Sequence, residues 1–161
     1  MQSLRVITIN ILLSGIAISI AFTAFLLDRI LPFRLPSVLK LAAWPLLAFG
    51  ASIILWAVFI LAKHSGATGA PGDPTKTLVE KGPFAWVRNP IYGAGVLIIL
   101  GLAFLTGSPF MLVYDLIYAL GIDCYVRRVE EPSLERRFGD QFARYKDSVP
   151  RWFPRFRIGI C

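Results

Sequence analysis

Apolar residues come in long runs along this chain, and the polar residues gather between them. From Val6 to Leu27 no charged residue occurs in 22 positions, and Leu41 to Ala62 is another uncharged stretch of 22. At about 1.5 Å of rise per residue, each run is long enough to cross about 30 Å of hydrocarbon as a helix. Two shorter runs follow, 91–105 and 110–126, separated by Thr106, Gly107, Ser108 and Pro109. A turn of that composition between two apolar runs predicts a helical hairpin. The first run exceeds the apolar core of a cleaved signal and has only Arg5 ahead of it, so it is expected to be a retained helix.

Between the second and third runs the pattern changes. Residues 63–90 hold four Gly and four Pro among charges, and no spanning element survives that composition. After residue 126 the chain turns basic and amphipathic: Leu134, Phe138, Phe142 and Tyr145 recur at helical spacing, with Arg136, Arg137, Arg144 and Lys146 elsewhere on the helix. Such a stripe predicts a helix lying on the membrane surface, ended by Pro150, with the aromatic and basic run 151–156 as an anchor. The expected fold is therefore an all-α integral membrane protein. It forms a single domain, 1–161, of four transmembrane helices (about 6–27, 41–62, 91–105 and 110–126), the last two a hairpin. A loop at 63–90 and a tail at 127–161, containing the interfacial amphipathic helix, complete it.

Composition sharpens this picture. With 56% hydrophobic residues and a mean hydropathy of +0.64, the chain lies outside ordinary soluble composition. Four helices put both termini and the 63–90 loop on one side, which then carries 14 of the 17 Lys and Arg; Arg29, Arg34 and Lys40 fall on the other. That bias predicts cytoplasmic termini, in the inner or plasma membrane if the source is bacterial. The net charge of +7 is accounted for by topology and the anionic leaflet, and no nucleic-acid motif accompanies it. Two cysteines, Cys124 in an apolar run and Cys161 at the last position, predict no disulfide. One histidine, His64, and no Cys pair at ligand spacing predict no metal site.

Folding the hairpin at Gly107 and Ser108 brings the start of its first helix beside the end of its second. Asn89 and Tyr92 then lie near Arg127, Glu130 and Glu131. Pro90 suits a first helical position, and the free N–H groups of that end favour an anion. Asp115, Ala119, Asp123, Arg127 and Glu131 recur every four residues and share one face. Carboxylates at membrane depth are costly and line a cavity or pair within the bundle. Singly, Arg88, Arg127 and Arg128 at helix ends are more often anchors than ligands, and Glu130 and Glu131 serve equally as partners of nearby arginines. Together they make an inventory of cation, amide, phenol and two carboxylates that suits a small zwitterionic or polar ligand.

Two blocks carry a family resemblance: TLVEKGPFAWVRNPIY at 77–92, and Glu130-Glu131 followed by Leu134, Arg137-Phe138-Gly139, Tyr145 and Val149-Pro150-Arg151. Together they resemble the isoprenylcysteine carboxyl methyltransferases and the related phospholipid methyltransferases, over roughly residues 63–155. The resemblance implies a membrane enzyme that uses S-adenosylmethionine on the cytosolic side and takes a lipophilic acceptor from the bilayer. It implies cofactor contacts at Thr77, Leu78, Val79, Gly82, Arg88, Asn89, Pro90 and Tyr92. Glu130 and Glu131 would face ribose hydroxyls or the amino group. Asp123 and Arg127 are the candidate catalytic pair, with Asp123 or Glu131 as the base an amine acceptor would need. The chain departs from the family in having Arg88-Asn89-Pro90 where Arg-His-Pro is usual, and Phe84 at a position often Tyr. Asn89 donates and accepts hydrogen bonds but does not titrate near neutrality, which makes it a positioning group. A membrane reductase related to sterol reductases, or a noncatalytic subunit of the same fold, are the alternatives.

Overall fold

The computed structural model describes residues 19, 22–23, 26–31, 33–65 and 77–154. Most of the expected helix 6–27 lies outside them, as do the loop residues 66–76, residues 155–161 and the terminal Cys161. Every regular element among the described residues is helical.

The first long helix, α1 (Lys40–Ser65), follows a 3-10 turn at Ser37–Leu39. It takes in the whole uncharged run and ends on Lys63 and His64, cations that suit the negative end of a helix dipole. His64, expected in the loop, belongs instead to this last turn. The hairpin follows as α2 (Pro90–Thr106) and α3 (Pro109–Tyr125). Its turn is built as the sequence implies. Gly107 takes the left-handed conformation (φ 69°) that only glycine adopts without strain, and its N–H reaches back to the Ala103 carbonyl. Ser108 caps α3, its Oγ accepting from the Met111 N–H at 3.0 Å, and Pro109 takes the first helical position.

The packing is that of membrane helices. Small residues face inward: Ala43, Ala57, Ala94 and Ala103 are essentially inaccessible, while Leu41, Trp44, Leu55, Phe59, Leu116 and Leu120 are exposed. A Cβ on Gly50 would lie 2.8 Å from Ile98 Cγ1, and one on Gly101 would lie 2.9 Å from Leu47 Cγ, so α1 and α2 touch through their glycines. Two stretches, Ser37–His64 and Pro109–Phe138, are long and apolar enough to cross a membrane, and Pro90–Thr106 is a shorter apolar helix. These features describe a membrane protein.

Two expectations about the C-terminal third are corrected. The last apolar helix does not stop near residue 126. It runs on through a π-helical turn, Val126–Glu130, into α4 (Glu131–Phe138). Nor is the tail one continuous amphipathic helix. Gly139 (φ 52°, ψ −127°) breaks it, and α5 (Asp140–Ser148) sets off in a new direction. The bend turns Phe142 and Tyr145, expected on the bilayer surface, into the protein, where they are 1% and 4% exposed. Hydrogen bonding explains the choice: the Tyr145 hydroxyl donates to the Phe84 carbonyl at 2.7 Å, so the tail is docked on the loop before α2.

Candidate active site

The loop from Thr77 to Asn89 is held against α1 by an edge-to-face pair of indoles, Trp56 and Trp86, with ring centres 5.4 Å apart. Gly82 (φ 61°) makes the tight approach: a Cβ there would lie 3.0 Å from Ile60 Cγ1. Its place is in the turn Gly82–Ala85, against α1.

Arg88 joins the two sequence blocks. Its backbone N–H donates to the Pro150 carbonyl at 2.9 Å, and its Nη1 to the carbonyls of Lys146 and Val149, both at 2.7 Å. A guanidinium on the last carbonyls of α5 satisfies groups a helix end leaves orphaned. Nη2 donates to Glu131 Oε1 at 2.9 Å. Arg151 grips the same carboxylate from the tail, Nε to Oε1 at 2.8 Å and Nη2 to Oε2 at 2.7 Å. Glu131, 8% exposed, is thus held between two guanidiniums. Its hydrogen bonds keep Arg151 protonated even beyond an arginine's usual range.

A second carboxylate pair forms beside the first. Asp123 Oδ1 accepts from the Trp152 indole at 2.8 Å and Oδ2 from Arg127 Nε at 2.7 Å, with Arg151 Nη1 at 3.9 Å. Both oxygens of Asp123 are engaged, and Arg127 is more than half exposed. The proposed catalytic pair therefore sits as a clasp on Trp152. Arg151, Trp152 and Tyr145 carry this arrangement, and the sequence pattern pointed to them only as an interfacial stripe and anchor. The useful signal was the position of Val149-Pro150-Arg151 within the resemblance.

Glu130 differs from both neighbours. The Tyr92 phenol faces it, while its Oε2 is buried with no partner. Asn89 is equally unusual. It stands at the N-cap of α2, where an Asn side chain ordinarily accepts a backbone N–H, yet it makes no cap bond. It is 8% exposed, and its Nδ2 is buried and unpartnered. Arg88 Nε is a third such atom. Buried polar groups are nearly always paired, because an orphan costs about 1–3 kcal/mol. Arg88 and Asn89 stand at the start of α2 and Glu130 faces Tyr92 in its first turn, so two donors and one acceptor are left unmet around this helix end. Pro90 is buried at the first helical position, as expected. Asp115, also buried with an unpartnered Oδ1, lies about ten residues deeper along α3.

Thr77, Leu78 and Val79 line a cavity of about 340 Å³ with His64, Glu80 and Gln141. The Thr77 hydroxyl donates to the His64 carbonyl at 2.8 Å, and Gln141 Nε2 to Glu80 Oε1 at 3.3 Å, so α1 and α5 form its walls. Among the described residues no three His, Cys, Asp or Glu side chains gather as a metal-holding group. Cys124 is a free, exposed thiol.

A family model described as phospholipid methyltransferase matches residues 39–141. Among curated proteins, the cobalt-zinc-cadmium resistance protein CzcN of Cupriavidus metallidurans is 35% identical over 88 residues, covering 54% of this chain and 40% of that protein. The match therefore takes in less than half the length of that relative. No solved structure matches the chain.

Proposed function

We propose that this chain, which belongs to the phospholipid methyltransferase family, transfers a methyl group from S-adenosylmethionine to a lipophilic acceptor at the cytosolic boundary of the membrane. One observation supports the reading above the rest. The loop at 77–92 and the segment at 130–151 are tied together through Arg88 and Glu131, and these two segments carry three buried polar atoms without partners, Arg88 Nε, Asn89 Nδ2 and Glu130 Oε2.

In this reading the hairpin and α1 cross the bilayer together with the helix expected at 6–27, and both termini lie in the cytoplasm, where the basic residues concentrate. Asn89 Nδ2 and Arg88 Nε would hold the carboxylate of the cofactor's amino-acid end, as two buried donors with nothing else to bind. Tyr92 and Pro90 would border it, and the cavity beside Thr77, Leu78 and Val79 offers room for its nucleoside. Glu131 keeps the corner in place, since both its oxygens already serve arginines. Asp123 fastens Trp152 to the end of the hairpin, with Arg127 on its other oxygen. The bound sulfonium supplies an activated methyl group. The protein's part is to hold that group in line with an acceptor arriving from the lipid, and alignment of this kind accounts for much of the acceleration in such transfers.

The test is direct. Purified protein in lipid nanodiscs should bind S-adenosylhomocysteine saturably. Membranes containing it should pass label from methyl-labelled S-adenosylmethionine into an extractable lipid. Saturable binding of NADPH in its place would favour a reductase, and binding of neither a noncatalytic subunit.

A further inference from the structure

At the cytosolic end of the hairpin three carboxylates lie close together, and their environments are unequal. Glu131 accepts from Arg88 and Arg151, and Asp123 from Arg127 and Trp152. The guanidiniums are spent in the same contacts. Arg88 has committed both Nη atoms and retains a single Nε donor, Arg151 bridges Glu131 to Asp123, and Arg127 is on Asp123. Arg128 is exposed. Among the described residues Glu130 is left with no cation. The groups that face it are the phenols of Tyr92 and Tyr125 and the carboxylate of Glu131, and its buried Oε2 has no partner.

We infer that Glu130 is the proton acceptor of the transfer and that the methyl acceptor is a nucleophile bearing a proton, an amine, phenol or thiol on an apolar body, rather than a carboxylate. This rests on the methyltransferase reading above. A carboxylate acceptor would have to lie beside an uncompensated anion, with the one buried guanidinium donor left among the described residues, Arg88 Nε, already given to the cofactor's carboxylate, which is unfavourable where water is excluded. A proton-bearing acceptor meets the opposite situation. Its N–H, O–H or S–H donates to Oε2, orienting the lone pair toward the methyl carbon. The new bond to carbon forms as the carbon–sulfonium bond breaks, its electron pair staying on sulfur as a neutral thioether, and the displaced proton passes to Oε2. Charge balances, since one cation and one carboxylate become two neutral groups.

The wild type and Glu130→Gln in nanodiscs separate this from other roles. The acceptors offered are dodecylamine, 4-nonylphenol, dodecanethiol and, as the carboxylate, lauric acid. The expected result is that the wild type methylates at least one of the first three and not lauric acid. Glu130→Gln should bind S-adenosylhomocysteine within about threefold of wild type while transferring at least about 100-fold more slowly, the range of a lost general base, and Glu130→Asp should recover part of the rate. Methylation of lauric acid, transfer to none of the four, or full turnover by Glu130→Gln overturns the inference. So does a loss of homocysteine-product affinity that matches the loss of turnover, which would make Glu130 a cofactor ligand. Should Glu130→Gln not fold, the wild-type acceptor profile decides alone. A wild type that binds no S-adenosylhomocysteine defeats the methyltransferase reading itself.

Discussion

The guanidinium of Arg88 and the carboxylate of Glu131 meet at 2.9 Å, both side chains about nine-tenths buried, though 43 positions of sequence separate them. Through this contact the loop ahead of the hairpin, the helix that leaves it and the tail beyond share one anchor. Removing the carboxylate would leave Arg88 and Arg151 side by side without compensation. Glu131→Gln is expected to lower stability by about 3 kcal/mol, the usual range for breaking a buried pair. Arg151→Ala should cost less, because Arg88 would still hold Glu131. Thermal unfolding of the two variants in one detergent checks the order.

Tyr145→Phe keeps the ring and deletes the hydroxyl bonded to the Phe84 carbonyl. A loss of about 1–2 kcal/mol is expected, for a buried acceptor left unpaired. The variant should also differ from wild type at high pH. Burial pushes the Tyr145 phenol well above its ordinary value. Its contribution is complete below about pH 10, where a phenol in the unfolded chain begins to ionise, and is lost as pH rises further. Stability measured from pH 8 to 11 should therefore fall more steeply in wild type than in Tyr145→Phe.

Two glycines of α2 should respond oppositely to an added methyl. Gly101→Ala would place a Cβ 2.9 Å from Leu47 and 3.2 Å from the Ala43 carbonyl, forcing α1 and α2 apart. A cost of about 1–3 kcal/mol is expected. Gly93→Ala meets nothing within 4 Å and should leave stability unchanged or improve it by up to about 1 kcal/mol. Unfolding temperatures of the pair, taken side by side, decide.

Asn89→Ala removes an amide nitrogen that bonds to nothing in the protein. Stability should stay within about 0.5 kcal/mol or rise, since a buried orphan disappears. Affinity for S-adenosylhomocysteine should fall about tenfold, the worth of one buried hydrogen bond. Calorimetric titration alongside a melting curve gives both numbers, and an unchanged affinity would remove Asn89 from the binding site.

The membrane-embedded part of the chain was legible because hydrophobic run length and turn chemistry act locally. Lys40–Ser65, Pro90–Thr106 and Pro109–Tyr125 fall within a few residues of the uncharged runs, and Gly107 and Ser108 do what their residue types favour. The approach of Tyr92 to Glu130 followed from hairpin length alone. The tail was less legible. The spacing of Leu134, Phe138, Phe142 and Tyr145 records that a helical face is apolar and cannot say whether lipid or protein covers it. That depended on Gly139, a single backbone conformation, and on Arg88 reaching carbonyls near 146–149, a contact between side chain and main chain that leaves no periodic trace. The roles of the three carboxylates were equally hidden, because Asp123, Glu130 and Glu131 look alike until their partners are known.

The π-helical turn at Val126–Glu130 sets the phase of everything after it. An extra peptide unit in one turn offsets the helix beyond it by about 100° relative to the helix before it. The membrane-facing half can thus keep the rotation its lipid contacts demand while the following half keeps the rotation that Arg88 demands. Trimming one residue there would restore a regular helix, at the cost of dialling Glu131 away from its guanidiniums and undocking the tail with it.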